Sequence, residues 1–205
     1  MTPALTALAA LREGNRRFVA ELREAHPVRA RRRELPAGQE PLAIILGCSD
    51  ARVPAEIVFD QGLGDLFVIR VAGNIVAPSQ IGSVEFAAAA FGTRLVVVLG
   101  HSSCGAIHAT VDQLTRPTGD QSPNLRSIVN RIRPAVEGLI ERGAGSDRDA
   151  LVRQAVRANI RMSADHLRHG SEVLEQAIDK DGLMVVGAEY SLESGVVEFF
   201  DGVPA

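Results

Sequence analysis

Neither sign of charge prevails in this chain of 205 residues: 22 Lys and Arg stand against 25 Asp and Glu, a formal net charge of −3. That balance excludes a global electrostatic pull toward nucleic acid or an anionic membrane, and the expected partner is a small molecule. No apolar run approaches the roughly 18 residues that a membrane-crossing helix needs. The opening MTPALTALAALREGNRRF turns to charge too early for the apolar region of a secretory leader, so a cytoplasmic protein is the expectation. Cysteine is scarce too, with Cys48 and Cys104 the only pair. Without an export signal, two cysteines argue against a stabilising disulfide and for thiolate chemistry or plain core filling. Repeats and low-complexity tracts are absent, and the length suits a single domain with one sizeable core.

Against these absences stands a clear alternation of short apolar runs and helical segments. Leu5, Leu8, Leu11, Phe18 and Leu22 recur at near-helical spacing with Arg and Glu between them, which predicts an amphipathic N-terminal helix. The next stretch, HPVRARRRELPAGQEP, carries three prolines and the basic cluster Arg29 and Arg31 to Arg33. Proline interrupts any periodicity there, so it reads as a connector with solvated arginines. Residues 1–34 are therefore expected to form a helical arm and connector ahead of an α/β domain over 35–205. From Leu42 onward the runs LAIILG, LFVIRVAG, TRLVVVLG and GLMVVGAEY alternate with helical segments at 79–91, 104–114, 124–141 and 147–169. Unbroken apolar runs indicate strands covered on both faces, hence a mostly parallel central sheet flanked by helices. YSLESGVVEFF closes the chain as a hairpin turning at Ser194 and Gly195, with an antiparallel strand at the sheet edge.

Two of those strands end in sudden polar bursts. LAIILG runs into CSDAR, placing Cys48, Asp50 and Arg52 at a strand end, and TRLVVVLG runs into HSSCGA, placing His101 and Cys104 at another. Open α/β sheets take their ligands beyond the carboxyl ends of the strands. Cys-x-Asp followed by His-x-x-Cys offers two thiolates, an imidazole and a carboxylate, the soft and borderline donors that suit zinc; three donors with water would leave an open, catalytic site. Asp50 lies two residues from Cys48 and two from Arg52, so in an extended segment all three side chains project to one side.

CSDAR and GHSSCG, with FDQGLGDLFVIRVAGN between them and YSLESGVVEF at the end, resemble the β-class carbonic anhydrases over nearly the whole chain. The resemblance implies a zinc enzyme that interconverts carbon dioxide with bicarbonate and a proton, with a hydroxide made at the metal as nucleophile. It implies Cys48, His101 and Cys104 as metal ligands and Asp50 with Arg52 as a dyad that gates and orients that hydroxide. It implies two arrangements of Asp50, paired with Arg52 or, in a closed state, placed on the metal as a fourth ligand, and the sequence does not choose between them. By position it further implies Gln39, Phe67, Ala72, Phe86 and Gly105 as the substrate surroundings, although Phe86 stands where many relatives carry tyrosine and Ala106 where a second glycine is common. His108, one turn after Cys104, is read as a helix-surface residue. Members of the family assemble as dimers or tetramers with the N-terminal helix across the partner, and a homodimer or homotetramer is the expectation. A regulatory subtype binds bicarbonate through a tryptophan, an arginine and a tyrosine; Arg70 and Tyr190 match the last two, but Ile45 holds the tryptophan position, so no such site is expected. The alternatives are a related zinc hydrolase acting on carbon disulfide or carbonyl sulfide, and an inactive zinc-binding homologue.

Overall fold

The computed structural model describes residues 2–22, 32–33, 35–116, 122–142 and 147–204. Arg29 and Arg31 of the basic cluster lie outside them, as do the other residues of 23–31 and residue 34. Strands β1 (Ala43–Gly47), β2 (Leu66–Arg70), β3 (Leu95–His101), β4 (Met184–Tyr190) and β5 (Val197–Asp201) form one sheet in the order β2-β1-β3-β4-β5. All neighbours are parallel except β4 and β5, which pair antiparallel at the edge as the closing hairpin requires. Around the sheet run α1 (Pro3–Val19), α2 (Ala55–Val58), α3 (Pro78–Ala90), α4 (Gly105–Thr115), α5 (Pro123–Glu141), α6 (Arg148–His169) and α7 (Glu172–Asp181). None of the described helices is long and apolar enough to cross a membrane.

Alternation along the strands sorts the core into two layers. Ile44, Leu46, Val96, Val98 and Val185 face one way, into a layer with Val84 of α3, Ile107 and Val111 of α4, Ile132 and Val136 of α5, and Val156 and Ile160 of α6. Ala43, Ile45, Leu95, Val97, Leu99 and Val186 face the other way, against Leu8 and Leu11 of α1 and Val58 of α2. The predicted N-terminal helix thus seats Leu8, Leu11 and Phe18 of its apolar stripe on its own chain's sheet, whereas Leu22 lies beyond the helix and is exposed. Thr2 caps it by accepting from the Leu5 N–H at 3.4 Å, with Pro3 at the first helical position. Asn15 fastens its far end: its amide donates to the carbonyls of Val58 (3.1 Å) and Gly195 (2.9 Å), and its Oδ1 accepts from the Val197 N–H (2.8 Å).

Helix α6 starts where Asp147 Oδ1 accepts from the N–H groups of Asp149 (2.9 Å) and Ala150 (3.0 Å), one residue after the predicted start. Helix α7 escapes the periodicity reading because only Leu174 and Ala177 are buried along its ten residues. It is bounded by caps instead, Ser171 at its start and Gly182 at φ 70° at its end. The register is what builds the site: Gly47 of β1 lies level with Leu99 of β3 and with Arg70 of β2, so β1 and β2 leave the sheet together at its carboxyl end while β3 runs two residues further, to His101.

Candidate metal centre

Cys48 follows the last residue of β1, His101 ends β3, and Cys104 stands just before α4. All three side chains are buried, and their donor atoms lie within 4.8 Å of one another. The two sulfurs are 3.9 Å apart. His101 is fully buried, and its Nδ1 is 2.9 Å from the carbonyl oxygen of Ser102. That contact assigns the proton to Nδ1 and leaves the Nε2 lone pair on the side of the sulfurs, without a hydrogen-bond donor among the described residues. A buried acceptor without a partner is costly. Here the missing partner is cationic by the chemistry of its neighbours, and a sulfur, nitrogen, sulfur donor set fits a borderline metal ion such as zinc.

The thiols ionise as a pair. Cys48 is pushed down to about 4, first by its contact with Cys104, then by His101 and by the Gly73 N–H, which donates to its sulfur at 3.3 Å, against the opposing effect of burial. Cys104 is correspondingly raised, because it keeps the proton it shares with Cys48 and because it is buried. Burial lowers the basicity of His101, yet the neighbouring Cys48 thiolate and the Ser102 carbonyl outweigh it and the ring is raised. At Cys104 no cap hydrogen bond forms, but the N–H dipoles of Ala106 and Ile107 at the start of α4 favour a negative sulfur.

Asp50 meets Arg52 in a two-point contact: Oδ1 accepts from Nε at 2.9 Å and Oδ2 from Nη2 at 2.7 Å, while the Arg52 N–H adds a bond to Oδ1 at 3.0 Å. This pairing holds the Asp50 carboxyl well below the usual carboxylate range despite partial burial. Its Oδ2 also lies 3.8 Å from His101 Nε2, so the carboxylate borders the space on which the three donors converge.

Residues 43–197 match the family model described as carbonic anhydrase. The chain is 40% identical over 199 residues to carbonic anhydrase 2 of Mycobacterium tuberculosis, covering 95% of this chain and 91% of that one.

The chain belongs to the β-class carbonic anhydrases.

Its fold is similar to that of the β-carbonic anhydrase CafA of Aspergillus fumigatus, with a TM-score of 0.76 at 25% identity over 98% of this chain and 91% of that chain. It is also similar to a tetrameric β-carbonic anhydrase of Sordaria macrospora, with a TM-score of 0.74 at 25% identity over 82% of this chain and 84% of that chain.

Of the other positions singled out by resemblance to the β-class carbonic anhydrases, two join the centre. Ala72 precedes Gly73 in the short 3₁₀ turn Ala72–Asn74, and Gly105 opens α4 beside Cys104, where an added Cβ would meet nothing within 4 Å. Three do not join it within one chain. Gln39 is exposed before β1, at the end of the strand opposite Cys48. Phe67 pairs with Ile44, four positions back from Cys48 and thus about 13 Å away along the strand. Phe86 lies on α3, 56% exposed, its ring centroid 6.2 Å from that of Phe67 and 5.5 Å from that of Phe91. A strand runs one way only, so residues entering it cannot touch residues leaving it. His108 is half-buried on α4, its N–H bonded to the Cys104 carbonyl at 3.0 Å.

Three supporting residues were not singled out from the sequence, although Gly73 and Ser102 lie within the quoted VAGN and HSSCGA. Gly73 sits at φ 71° between Ile132 and Ala106, its carbonyl accepts from Asn159 at 2.8 Å, and Asn159 is itself buried on α6. Ser102 acts through its backbone carbonyl, which any residue would supply. The glycine of AGN was the one readable clue, since glycine takes the positive φ that this position adopts.

Proposed function

We propose that this β-class carbonic anhydrase hydrates carbon dioxide reversibly to bicarbonate and a proton at a zinc ion held by Cys48, His101 and Cys104. The observation that carries this reading is the buried, partnerless Nε2 of His101 facing two sulfurs beside an Asp–Arg pair. A zinc ion bound there supplies Lewis acidity, bringing the deprotonation of water close to neutral pH. The remaining work falls to the chain. Arg52 keeps Asp50 ionised, and an ionised carboxylate only accepts hydrogen bonds, so it orients the attacking water by its proton and turns a lone pair toward the carbon of carbon dioxide. The N–H of Gly105, at the amino end of α4, donates to the oxygen on which negative charge collects. Ser102 holds the His101 tautomer.

We further infer a homodimer or homotetramer. Gln39, Phe67 and Phe86 stand apart from the centre of their own chain, and a second copy brings such residues to a cleft at the boundary between subunits. The exposed Phe86 ring supports this reading.

Stopped-flow measurement of carbon dioxide hydration beside elemental analysis tests the reading. About one zinc per chain and hydration activity that chelation removes and added zinc restores are expected. Zinc-loaded protein that does not hydrate carbon dioxide, or metal-free protein that does, refutes it.

A further inference from the structure

Asp50 is gripped at both ends. Arg52 holds its carboxylate, and its carbonyl oxygen accepts from Arg70 Nη2 at 2.6 Å. The Nε of the same guanidinium donates to the carbonyl of Cys48 at 3.0 Å. Arg70 is the last residue of β2, level with Gly47, and the Val71 N–H to Gly47 carbonyl contact at 3.1 Å is the last rung between the two strands. Beyond that rung, 48–52 turns away from the sheet and its carbonyls have no strand beside them. The Asp50 carbonyl takes a turn contact from the Val53 N–H at 3.0 Å, and the Arg70 side chain supplies the donors that tie this carbonyl and that of Cys48 back to β2.

No ion pair engages Arg70 among the described residues, so its rigid fork is spent on two carbonyls that flank Ser49. Because a guanidinium is planar and presents its donors at fixed angles, it fixes both acceptors relative to each other. A lysine ammonium is a single point and does not reproduce that geometry. The distance at stake is short: Asp50 Oδ2 lies 3.8 Å from His101 Nε2, at the border of the space on which the three donors converge.

We propose that Arg70 is a positioning residue that holds the Cys48–Asp50 segment so that Asp50 stays on Arg52 and off the metal, which leaves one coordination position to solvent and small anions. The inference rests on the reading that Cys48, His101 and Cys104 hold a metal ion.

Cobalt(II) loaded in place of zinc gives a visible absorption that reports the ligand set without any turnover, and azide titration reports whether a position is open. In Arg70→Met, half-saturation is expected at about tenfold more azide than in the wild type. In Arg70→Met with Asp50→Asn, it is expected to return to within about twofold of Asp50→Asn alone, since the competing carboxylate is gone. A merely structural role for Arg70 predicts no such recovery. Arg70→Lys, which keeps the charge and serves if Arg70→Met does not fold, should fall between wild type and Arg70→Met. Unchanged azide affinity in the single variants, or weakened affinity that Asp50→Asn does not restore, overturns the proposal. A wild-type chain that takes up no cobalt overturns the metal reading itself and the proposal with it, whereas cobalt uptake without carbon dioxide hydration touches only the catalytic reading.

Discussion

Replacing Gly73 by alanine tests whether the metal centre and the core share one backbone position. A Cβ there lies 2.8 Å from Ile132 Cδ1 and 3.0 Å from Ala106 Cβ, and the backbone sits at φ +71°. The left-handed conformation costs a residue with a Cβ about 1 kcal/mol. Overpacking against two buried neighbours adds about 2 kcal/mol, so Gly73→Ala should destabilise by about 3 kcal/mol, a large share of a domain's stability. The two contributions separate by design. Ile132→Val deletes only the Cδ1 methyl, so on that background Gly73→Ala should cost about 2 kcal/mol, a coupling of about 1 kcal/mol. Urea unfolding followed by far-ultraviolet circular dichroism suits a chain without tryptophan. Protein concentration is held constant, since assembly shifts apparent stability. Displacement of Gly73 also disturbs its 3.3 Å contact to the Cys48 sulfur, so zinc affinity in chelator competition should fall about tenfold. An equal cost in both backgrounds refutes the steric argument, and undiminished zinc affinity refutes the link to the centre.

Asn15→Leu keeps the size of the side chain but strips partners from the carbonyls of Val58 and Gly195 and from the N–H of Val197, all bonded at 3.1 Å or less. At one to two kcal/mol for each orphaned group, a loss of about 4 kcal/mol is expected in the same unfolding assay, and a loss under about 1 kcal/mol means that water takes over. In metal-free protein, Cys48 should be a thiolate at neutral pH and gain its proton only as the pH falls toward about 4, while Cys104 stays protonated throughout. Thiolate ultraviolet absorbance should therefore show one equivalent at neutral pH and lose it on acidification; two equivalents or none at neutral pH contradict the shared-proton pair.

The parallel sheet was legible because its strands carry apolar runs, and the centre was legible because two of those runs stop at a cluster of donors. Polar groups of that kind rarely gather at the end of a buried strand without a chemical reason. Helix α7 was not legible, since two buried residues do not make a period. Arg70 shows the limit most clearly. Its letter suggested an effector-binding match, whereas its side chain is engaged by the carbonyls of Cys48 and Asp50, acceptors that every sequence contains.

What sequence alone determined is the type and order of the donors, since sulfur, imidazole and carboxylate are properties of side chains and their spacing is covalent. Only tertiary structure decided the rest: that parallel register brings Gly47 level with Leu99, that His101 points Nε2 inward because its Nδ1–H donates to the Ser102 carbonyl, and that Asp50 rests on Arg52. These are outcomes of packing and of backbone hydrogen bonding, which are set by what lies alongside in space and leave no mark in the letters.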